Sequence, residues 1–523
     1  MSSMDDLGLV RPGSGTVAAQ SGRNLRVLTP LGVEAWAARR GATTATVIRS
    51  GFGAERSRRT ARSLVAGLTP GAPVAVVGLC GALTADLHPG DVVVANALHT
   101  TDGATTLELP GADPVANALR AAGLHVRTGP IACSPSVVKG DRRAALAATG
   151  AVAVDMESAW LLDELAGRHP VAVVRVVIDT LDHELRSLRT ARHARLALRH
   201  LAAAIPVLER WAAACGHHDV VLAGPRSFCA GVERAIDIVE RALERYAAPV
   251  YVRRQIVHNS HVVRELEGKG AVFVTELDEV PVGATAVLAA HGVAPEVREE
   301  AAARELRVID ATCPLVGKVH AEAKRFAERD YDIVLIGHDD HEEVVGTVGE
   351  APGRIRVVGS AAEVDALAVR NPARIAFLTQ TTLAVDEVAG ITARLRTRFP
   401  QITGPRTEDI CYATQNRQEA VTAIAPECDL VIVVGSANSS NSRRLVEVAE
   451  RAGTPAHLVD GAADLDLGWL AGVTTIGITA GASAPEAKVH EVVAAISSLG
   501  PVTTSERAVR DEHEHFPLPL EVR

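Results

Sequence analysis

The chain has 523 residues, which is too long for one hydrophobic core, so we expect two or more domains. Its formal charge of -9 at pH 7 is spread along the chain and gives no electrostatic case for nucleic-acid binding. The apolar runs have the length of strands, far below the roughly 20 residues of a membrane helix, so we expect no membrane partner.

The first segment, residues 1–24, is polar and contains several Gly and Ser residues, so we predict that it is disordered. It lacks the basic and apolar regions of a signal peptide. The seven cysteines are scattered, and their odd number without a secretory signal argues against a disulfide framework. These features predict a cytoplasmic protein whose cysteines serve in metal binding or burial.

Residues 25–215 predict a first α/β domain. Short Val, Ala and Leu runs alternate there with helical stretches, and a long helix is expected from about Thr190 to Ala214. Gly216 follows that helix, and a glycine just past the last helical residue is a common stop. We therefore place the domain boundary near residue 216.

Three motifs in this domain carry its candidate functional residues. They are the glycine-rich run 74–94, Val154 to Ser158 with the sequence VDMES, and Val174 to Asp179 with the sequence VRVVID. On these motifs the domain resembles the nucleoside phosphorylase and nucleosidase superfamily, whose members cleave the bond between a base and a ribose. The resemblance implies a purine nucleoside ligand and assigns roles to four residues. Met156 and Glu157 would hold the ribose hydroxyls, Asp179 would protonate the leaving purine, and Glu34 would activate water.

The domain also departs from the superfamily pattern. Ile178 replaces a usual Ser, the stretch 132–136 lacks an Asp near the base, and Val137 stands where an aromatic residue often stacks on the purine. An alternative therefore stays open, in which the domain keeps the fold and serves as a non-catalytic docking or regulatory module. Acidic residues in such motifs can also simply favour a helix N-terminus.

The strand and helix alternation restarts at Asp219 and continues to about residue 500, which predicts parallel sheets covered by helices. Cys229, Cys313 and Cys411 each precede a predicted helix, and the spacing between them fits one small βαβ-type unit each. We predict three αβ units, at about 219–309, 310–408 and 409–500, and a loosely held tail over 501–523.

Three thiolates can hold three corners of a [4Fe–4S] cube and leave one iron open to a substrate oxygen. Zinc is the alternative, but zinc ligands usually come in close pairs rather than one per unit. The remaining four cysteines are expected to be buried small apolar residues: Cys80, Cys133, Cys215 and Cys428.

Polar clusters recur after the predicted strands of this region. Histidines, hydroxyls and helix N-termini that meet at one sheet edge suit an anion with many oxygens, such as a diphosphate. Six such clusters are harder to explain as independent helix caps than one would be. They lie at 257–259, 290–292, 337–343, 379–382, 435–442 and 479–483.

These motifs together resemble the 4-hydroxy-3-methylbut-2-enyl diphosphate reductase family over residues 219–500. They follow the family's order: PRSFCAGV, VHN, AHGV, DATCPLV, GHDDHEE, TQTTL, DICYATQNRQ, GSANSSNS and TAGASAPE. The resemblance implies that the three cysteines bind one [4Fe–4S] cluster per chain and that Glu343 delivers a proton. It implies that the substrate site is lined by His258, His291, His341, Thr381, Ser439, Ser440, Asn441 and Ser483.

Two residues depart from that family's pattern. Ser227 stands at a usual Gly, and Glu342 stands at a usual Pro beside Glu343. Neither change removes a functional group, but we expect like-charge repulsion from Glu342 to raise the pKa of Glu343.

The resemblance implies an oxidoreductase of the methylerythritol phosphate route to isoprenoids. It would remove the hydroxyl of an allylic diphosphate to give isopentenyl and dimethylallyl diphosphate, with electrons from a donor such as ferredoxin or flavodoxin. Two rivals stay open: a non-catalytic iron–sulfur sensor or electron carrier, and a fusion whose main role is nucleoside cleavage. The expected fold is a phosphorylase-like α/β domain followed by a three-unit αβ, trefoil-like, iron–sulfur reductase.

Overall fold

The computed structural model describes residues 24–103, 105–181 and 190–523. The predicted disordered segment 1–24 lies outside the described residues, apart from Asn24. Within the described ranges, no helix is long and apolar enough to cross a bilayer. The chain divides into two compact units. The first contains the described residues up to His217 with Asp466–Gly472 and Ala495–Pro501, and the second contains His218–Leu465, Val473–Ala494 and Val502–Arg523.

Strands and helices alternate in the first unit, as the apolar runs predict. The elements are β1 (Arg26–Thr29), α1 (Gly32–Gly41), β2 (Thr46–Arg49), α2 (Ala54–Val65), β3 (Val74–Ala82), β4 (Val92–Thr100), β5 (Thr106–Glu108), α3 (Ala112–Ala121), β6 (Val126–Cys133), α4 (Asp141–Ala147), β7 (Ala153–Asp155), α5 (Ser158–Leu162), β8 (Val171–Asp179) and α6 (Thr190–Ala214).

The first unit is built on an eight-stranded sheet in which five strands close into a ring. Strand β3 pairs with β7, which pairs with β6, then β4, then β8, and β8 returns to β3. Strands β3 and β8 are almost continuously buried, which explains their Val-rich sequences. An irregularity at Cys80/Gly81 sets Gly81 opposite Asp179, so the ends of both strands meet at one edge.

From His218 onward the chain again alternates strands and helices. The elements are β9 (His218–Gly224), α7 (Ala230–Tyr246), β10 (Val250–Arg253), α8 (Ser260–Gly268), β11 (Ala271–Val274), β12 (Thr285–Leu288), α9 (Pro295–Ala303), β13 (Arg307–Asp310), α10 (Pro314–Glu328), β14 (Asp332–Ile336), α11 (Glu342–Gly349), β15 (Ile355–Val358), α12 (Ala361–Ala366), β16 (Ile375–Thr379), α13 (Val385–Arg398), α14 (Tyr412–Ile424), β17 (Leu430–Val434), α15 (Ser440–Arg451), β18 (Ala456–Val459), α16 (Leu467–Leu470), β19 (Thr475–Ala480), α17 (Glu486–Ser497) and β20 (Val502–Ala508).

The second unit contains three parallel sheets with the orders β11-β10-β12-β13, β15-β14-β16 and β18-β17-β19-β9-β20. Strand β9 begins the sequence of this unit, yet it pairs with β19 and β20 in the last sheet. The cysteine that follows β9 is therefore presented by the third sheet, whereas the sequence order places it in the first αβ unit. Parallel strands end at the same edge, which gathers the residues that follow them.

The C-terminal segment differs from the loosely held tail expected from its sequence. Strand β20 pairs with β9 over seven residues, and Val522 is buried in the core beside α7 and β10. Arg234 and Tyr246 of α7 donate hydrogen bonds to the carbonyls of Pro517 and Glu521. The side chains of β20 are mostly exposed, so this edge strand lacks the apolar alternation that identifies a strand in a sequence.

Candidate active sites

The three cysteines of the second unit line one cavity of about 110 Å³. Each is the N-cap residue of a helix: Cys229 of α7, Cys313 of α10 and Cys411 of α14. The partial positive charge of a helix N-terminus stabilises a thiolate, which is the metal-binding form of cysteine. The backbone N–H of Thr414 also donates to the Sγ of Cys411 at 3.3 Å.

The space between the thiols is kept clear by Gly231. A Cβ at that position would lie 2.8 Å from the Sγ of Cys313 and 3.8 Å from the Sγ of Cys229. Burial raises the pKa of Cys313 to about 11 and that of Cys411 to about 12, so these thiols need a bound cation to be thiolates at neutral pH.

The spread of the thiols fits a cluster better than a single ion. Within the described part of the chain, no three ligand side chains converge on one metal-ion position. A single zinc would require thiolates within about 2.3 Å of one point. An iron–sulfur cluster instead takes one thiolate at each of several irons, which suits three thiols around a cavity.

Three histidines form a second group on the same cavity. The rings of His258 and His291 stack with centroids 3.9 Å apart, and the ring of His341 stands edge-on at 5.5 Å from His258 and 6.1 Å from His291. Burial lowers the pKa of His258 and of His341 to about 4, and that of His291 well below its ordinary value. The Nε2 atoms of His291 and His341 are buried without a hydrogen-bond partner among the described residues. This geometry leaves polar ring atoms for a ligand.

Glu343 lies in the first turn of α11, where it is buried against Thr381. The backbone N–H of Thr381 donates to one carboxylate oxygen at 2.7 Å, and its hydroxyl donates to the other at 2.9 Å. Burial nevertheless raises the pKa of Glu343 to about 7, with a smaller contribution from the charge of Asp409. A carboxyl group with this pKa can both hold and release a proton near neutral pH.

Glu342 does not act on Glu343 in the way its sequence position led us to expect. Its carboxylate lies 3.4 Å from Arg254, and it is not among the residues that line the cavity. The neighbouring negative charge that raises the pKa of Glu343 belongs to Asp409, and burial has the larger effect. The pKa of Glu343 is raised as we expected, but the expectation that Glu342 raises it was wrong. Adjacent residues at the start of a helix point to different sides.

The serine and asparagine loop forms the remaining wall. Ser439 is the N-cap of α15 and accepts a hydrogen bond from the N–H of Ser442. Asn441 accepts from the N–H of Ala482 at 3.0 Å, and Ser483 donates to the carbonyl of His258 at 3.0 Å. The bond from Ser483 holds this wall of the cavity against the segment that contains His258.

All twelve residues predicted for the second unit line this one cavity. They are Cys229, His258, His291, Cys313, His341, Glu343, Thr381, Cys411, Ser439, Ser440, Asn441 and Ser483. The structure adds Tyr412, Thr414 and Phe516, which the sequence motifs did not single out. Thr414 lies one helical turn from Cys411, a spacing that could have indicated it, but nothing near Phe516 resembles a site motif.

The first unit has its own cavity of about 330 Å³, lined by all four candidate residues: Glu34, Met156, Glu157 and Asp179. Glu34 accepts hydrogen bonds from the N–H groups of Leu31 and Leu79 at 2.7 and 2.8 Å. Burial raises the pKa of Glu34, and it raises the pKa of Glu157 to about 7. Phe52 also lines this cavity and provides the aromatic surface that Val137 lacks.

Two arginines to which the sequence analysis gave no role hold the acidic residues of this cavity, although Arg175 lies within the motif VRVVID. Arg175 is fully buried and forms ion pairs with Asp155 at 2.6 Å and Glu157 at 3.5 Å. Arg143 is also buried and pairs with Asp179. A Cβ at Gly78 would clash with the guanidinium of Arg175, which explains a glycine at that point of β3.

Residues 220–497 match the family model of LytB protein, which is more than half of the chain. The chain belongs to the LytB protein family. The LytB region is 59% identical over 310 residues to a 4-hydroxy-3-methylbut-2-enyl diphosphate reductase of Mycolicibacterium paratuberculosis, covering 58% of this chain and 92% of the relative. It is 58% identical over 314 residues to the enzyme of that name from Rhodococcus opacus, covering 59% and 92%.

A solved structure agrees with these relatives. The E-1-hydroxy-2-methyl-but-2-enyl-4-diphosphate reductase of Plasmodium falciparum is 38% identical, with a TM-score of 0.57, and the match covers 59% of this chain and 97% of that one. Residues 12–206 match the model of the phosphorylase superfamily. Both resemblances expected from the sequence, and the two-part α/β fold, are thereby confirmed.

Proposed function

We propose that the LytB region reduces 4-hydroxy-3-methylbut-2-enyl diphosphate to isopentenyl and dimethylallyl diphosphate. The carbon–oxygen bond to the hydroxyl breaks, and two electrons and two protons are consumed. One proton leaves with the hydroxyl as water, and the other bonds to one end of the allyl group, which gives one product or the other. An external protein such as ferredoxin or flavodoxin is our proposed electron donor.

One observation carries this proposal. Three thiols, three histidines and a buried glutamate line a single cavity in a region that is 59% identical, over 310 residues, to a protein named for this reaction. An iron–sulfur sensor or electron carrier would need the thiols alone. The Glu343–Thr381 pair and the histidine group favour an enzyme, because they supply a proton and an anion site that electron transfer does not require.

We assign one [4Fe–4S] cluster per chain to Cys229, Cys313 and Cys411. When bound, such a cluster supplies the electrons and a Lewis-acidic iron with no protein ligand. The glycine at 231 and the helix N-termini behind the thiols fit this group.

The other residues act on the substrate itself. The histidines are neutral at neutral pH, and the Nε2 atoms of His291 and His341, which lack a partner among the described residues, support hydrogen bonds to diphosphate oxygens. Ser439, Ser440, Asn441 and Ser483 would complete that anion site at the N-terminus of α15. Glu343 would hold the proton that leaves with the hydroxyl oxygen, and Thr381 would fix its carboxyl group.

Cysteine variants test the cluster assignment. Replacing Cys229, Cys313 or Cys411 by Ser should abolish normal cluster assembly, because the thiolate ligand is lost. Cys428→Ser should keep a full cluster, since Cys428 does not line the cavity. The measurement is iron and sulfide per chain after anaerobic purification, and a normal content in Cys313→Ser would refute the assignment.

For the first unit we propose cleavage of a purine nucleoside at its N-glycosidic bond. Glu34, Glu157 and Asp179 around one cavity support this role, because carboxyl groups can divide nucleophile activation, ribose binding and leaving-group protonation. Met156 would contact the ribose. Burial raises the pKa of Glu34 and raises that of Glu157 to about 7, and carboxyl groups with raised pKa values are common at catalytic sites.

A docking or regulatory module is the second candidate, and the ion pair between Arg143 and Asp179 favours it. A guanidinium stabilises the ionised carboxylate, which makes Asp179 a poorer proton donor while the pair holds. Release of purine base from a broad panel of nucleosides separates the two. An active unit should release base, and Asp179→Asn should abolish that release without affecting reduction. No release from any nucleoside would support the docking role.

A further inference from the structure

His320 lies on α10, seven residues after Cys313, and it is almost fully buried outside the cavity described above. Its Nδ1 lies 2.9 Å from a carboxylate oxygen of Glu350, the residue that ends α11. Lys324 contacts the other oxygen of Glu350 at 2.8 Å, and Arg298 lies 3.6 Å away. Glu350 therefore fixes the orientation of the imidazole, and Lys324 and Arg298 in turn hold the carboxylate of Glu350.

The other edge of the His320 ring faces two glycines, each on a segment that carries a residue of the cavity. A Cβ at Gly292, which follows His291, would lie 3.0 Å from Cε1 and 3.1 Å from Nε2 of the ring. A Cβ at Gly346, one turn after Glu343 on α11, would lie 3.2 Å from Cε1 and 3.4 Å from the backbone of Gly292. A methyl group at either point would lie closer than an ordinary van der Waals contact, so the ring or the backbone would have to shift by a few tenths of an ångström.

The contact continues along the same two segments. A Cβ at Gly349 would lie 2.3 Å from the Cβ of Ala294, so α11 approaches the 292–294 turn closely at a second point. Gly292 has a φ of +78°, a conformation that favours glycine. The turn that presents His291 and the helix that presents Glu343 thus pack directly on each other, with His320 filling the space beside them.

We propose that His320 is a positioning residue for the reduction, which sets the distance between the His291 turn and the Glu343 helix. Because Cys313 is the N-cap of α10, the same ring also ties both segments to the helix that presents a proposed cluster ligand. An aliphatic residue of similar size would fill the space, but it would have no bond to Glu350 to fix its orientation. This inference rests on the proposed reduction.

Two substitutions on opposite sides of this contact test the proposal. His320→Asn keeps an amide N–H near the position of Nδ1 for Glu350 but removes the ring edge that contacts the glycines. Gly346→Ala adds a methyl group against that edge. Each single change should lower kcat about tenfold or more, since displacement by a fraction of an ångström is costly for catalysis. Each should also weaken the binding of inorganic diphosphate, because His291 moves with its turn.

The double variant is the decisive measurement. In His320→Asn with Gly346→Ala, the added methyl group occupies the vacated space, so kcat should exceed that of either single variant. Gly390→Ala is the matched control, because Gly390 lies on a helix with open space around it and should leave kcat unchanged. Rates are expressed per iron–sulfur cluster, and diphosphate affinity is measured by anaerobic calorimetry on the full chain.

The outcomes distinguish this inference from the proposed function. A wild-type protein that binds a cluster but does not turn over refutes the reduction itself. An active wild type with unchanged kcat and diphosphate affinity in His320→Asn overturns the positioning role, even if that variant is less stable. The positioning role is also overturned if the fold-decrease in kcat of the double variant equals the product of the fold-decreases of the two single variants. If His320→Asn fails to fold, unchanged kcat in Gly346→Ala overturns the positioning role in its place.

Discussion

The proton-donor position depends on a balance of effects on one carboxyl group. Burial raises the pKa of Glu343, the two hydrogen bonds from Thr381 lower it, and the charge of Asp409 raises it slightly, with a result of about 7. The carboxyl group to which we assign proton delivery is therefore largely protonated below neutral pH and largely ionised above it. Its residue neighbours, rather than its place in the sequence, set this property.

This balance predicts the pH dependence of the reductase. Because Glu343 must be protonated to act, kcat/KM should fall as pH rises through about 7. Glu343→Gln should remove this decline, which is the alkaline limb of the pH profile. It should also lower kcat by about 100- to 10,000-fold, while the cluster is retained. Glu342→Gln is the matched control and should keep the limb, since Glu342 pairs with Arg254 outside the cavity. Loss of the limb in the Glu342 variant alone would contradict the assignment.

At the residue scale, motif position predicted which side chains meet, because most of the motifs follow strands of the three parallel sheets, and parallel strands end at the same edge of their sheet. It could not predict contacts that depend on three-dimensional packing. The Asp409 effect on Glu343, the Arg143–Asp179 pair and the approach of Phe516 to the cavity all join residues far apart in sequence.

Among the elements, the C-terminal segment contacts the part of the fold that carries two of the proposed cluster ligands, Cys229 and Cys411. Arg417 of α14 is fully buried and donates to the carbonyls of Ser227 and Phe228, just before Cys229. Its charge is paired with Glu512 at 3.0 Å, in the segment after β20. The segment therefore supplies the counter-charge for a guanidinium that holds the backbone just before Cys229.

Removing that counter-charge should be costly. Glu512→Gln leaves a buried guanidinium without its carboxylate, and we expect the free energy of unfolding to fall by about 3 kcal/mol. Arg510→Gln is the control, because the Arg510–Glu419 pair is largely exposed and should contribute less than about 1 kcal/mol. The measurement is urea unfolding of both variants under anaerobic conditions. Equal stability of the two variants would contradict a structural role for the segment.

Element order was partly predictable from the sequence. The periodic apolar runs predicted the alternation of strands and helices, and α6 has the expected bounds of Thr190 and Ala214. The pairing of β9 with the last sheet could not be read from the sequence, because a buried parallel strand carries no signal for its partner. Strand β20 was missed because exposed edge strands are polar.

On the scale of the whole molecule, the chain combines two α/β units, each with its own cavity and its own set of candidate catalytic groups. The LytB region has an extensive set of matching motifs, whereas the phosphorylase-like unit departs from its superfamily at several site positions. The reduction is therefore the better supported of the two proposed activities, since all twelve residues predicted for it line one cavity of the LytB region.

Anaerobic turnover is the direct test of the proposed reduction. The full chain, purified without oxygen and shown to contain iron and sulfide, is supplied with a chemical reductant and 4-hydroxy-3-methylbut-2-enyl diphosphate. We predict conversion to isopentenyl and dimethylallyl diphosphate by the wild type, and conversion slower by about 100-fold or more in Glu343→Gln. A cluster-containing wild type that leaves the allylic diphosphate unchanged would show that the LytB region does not catalyse this reaction.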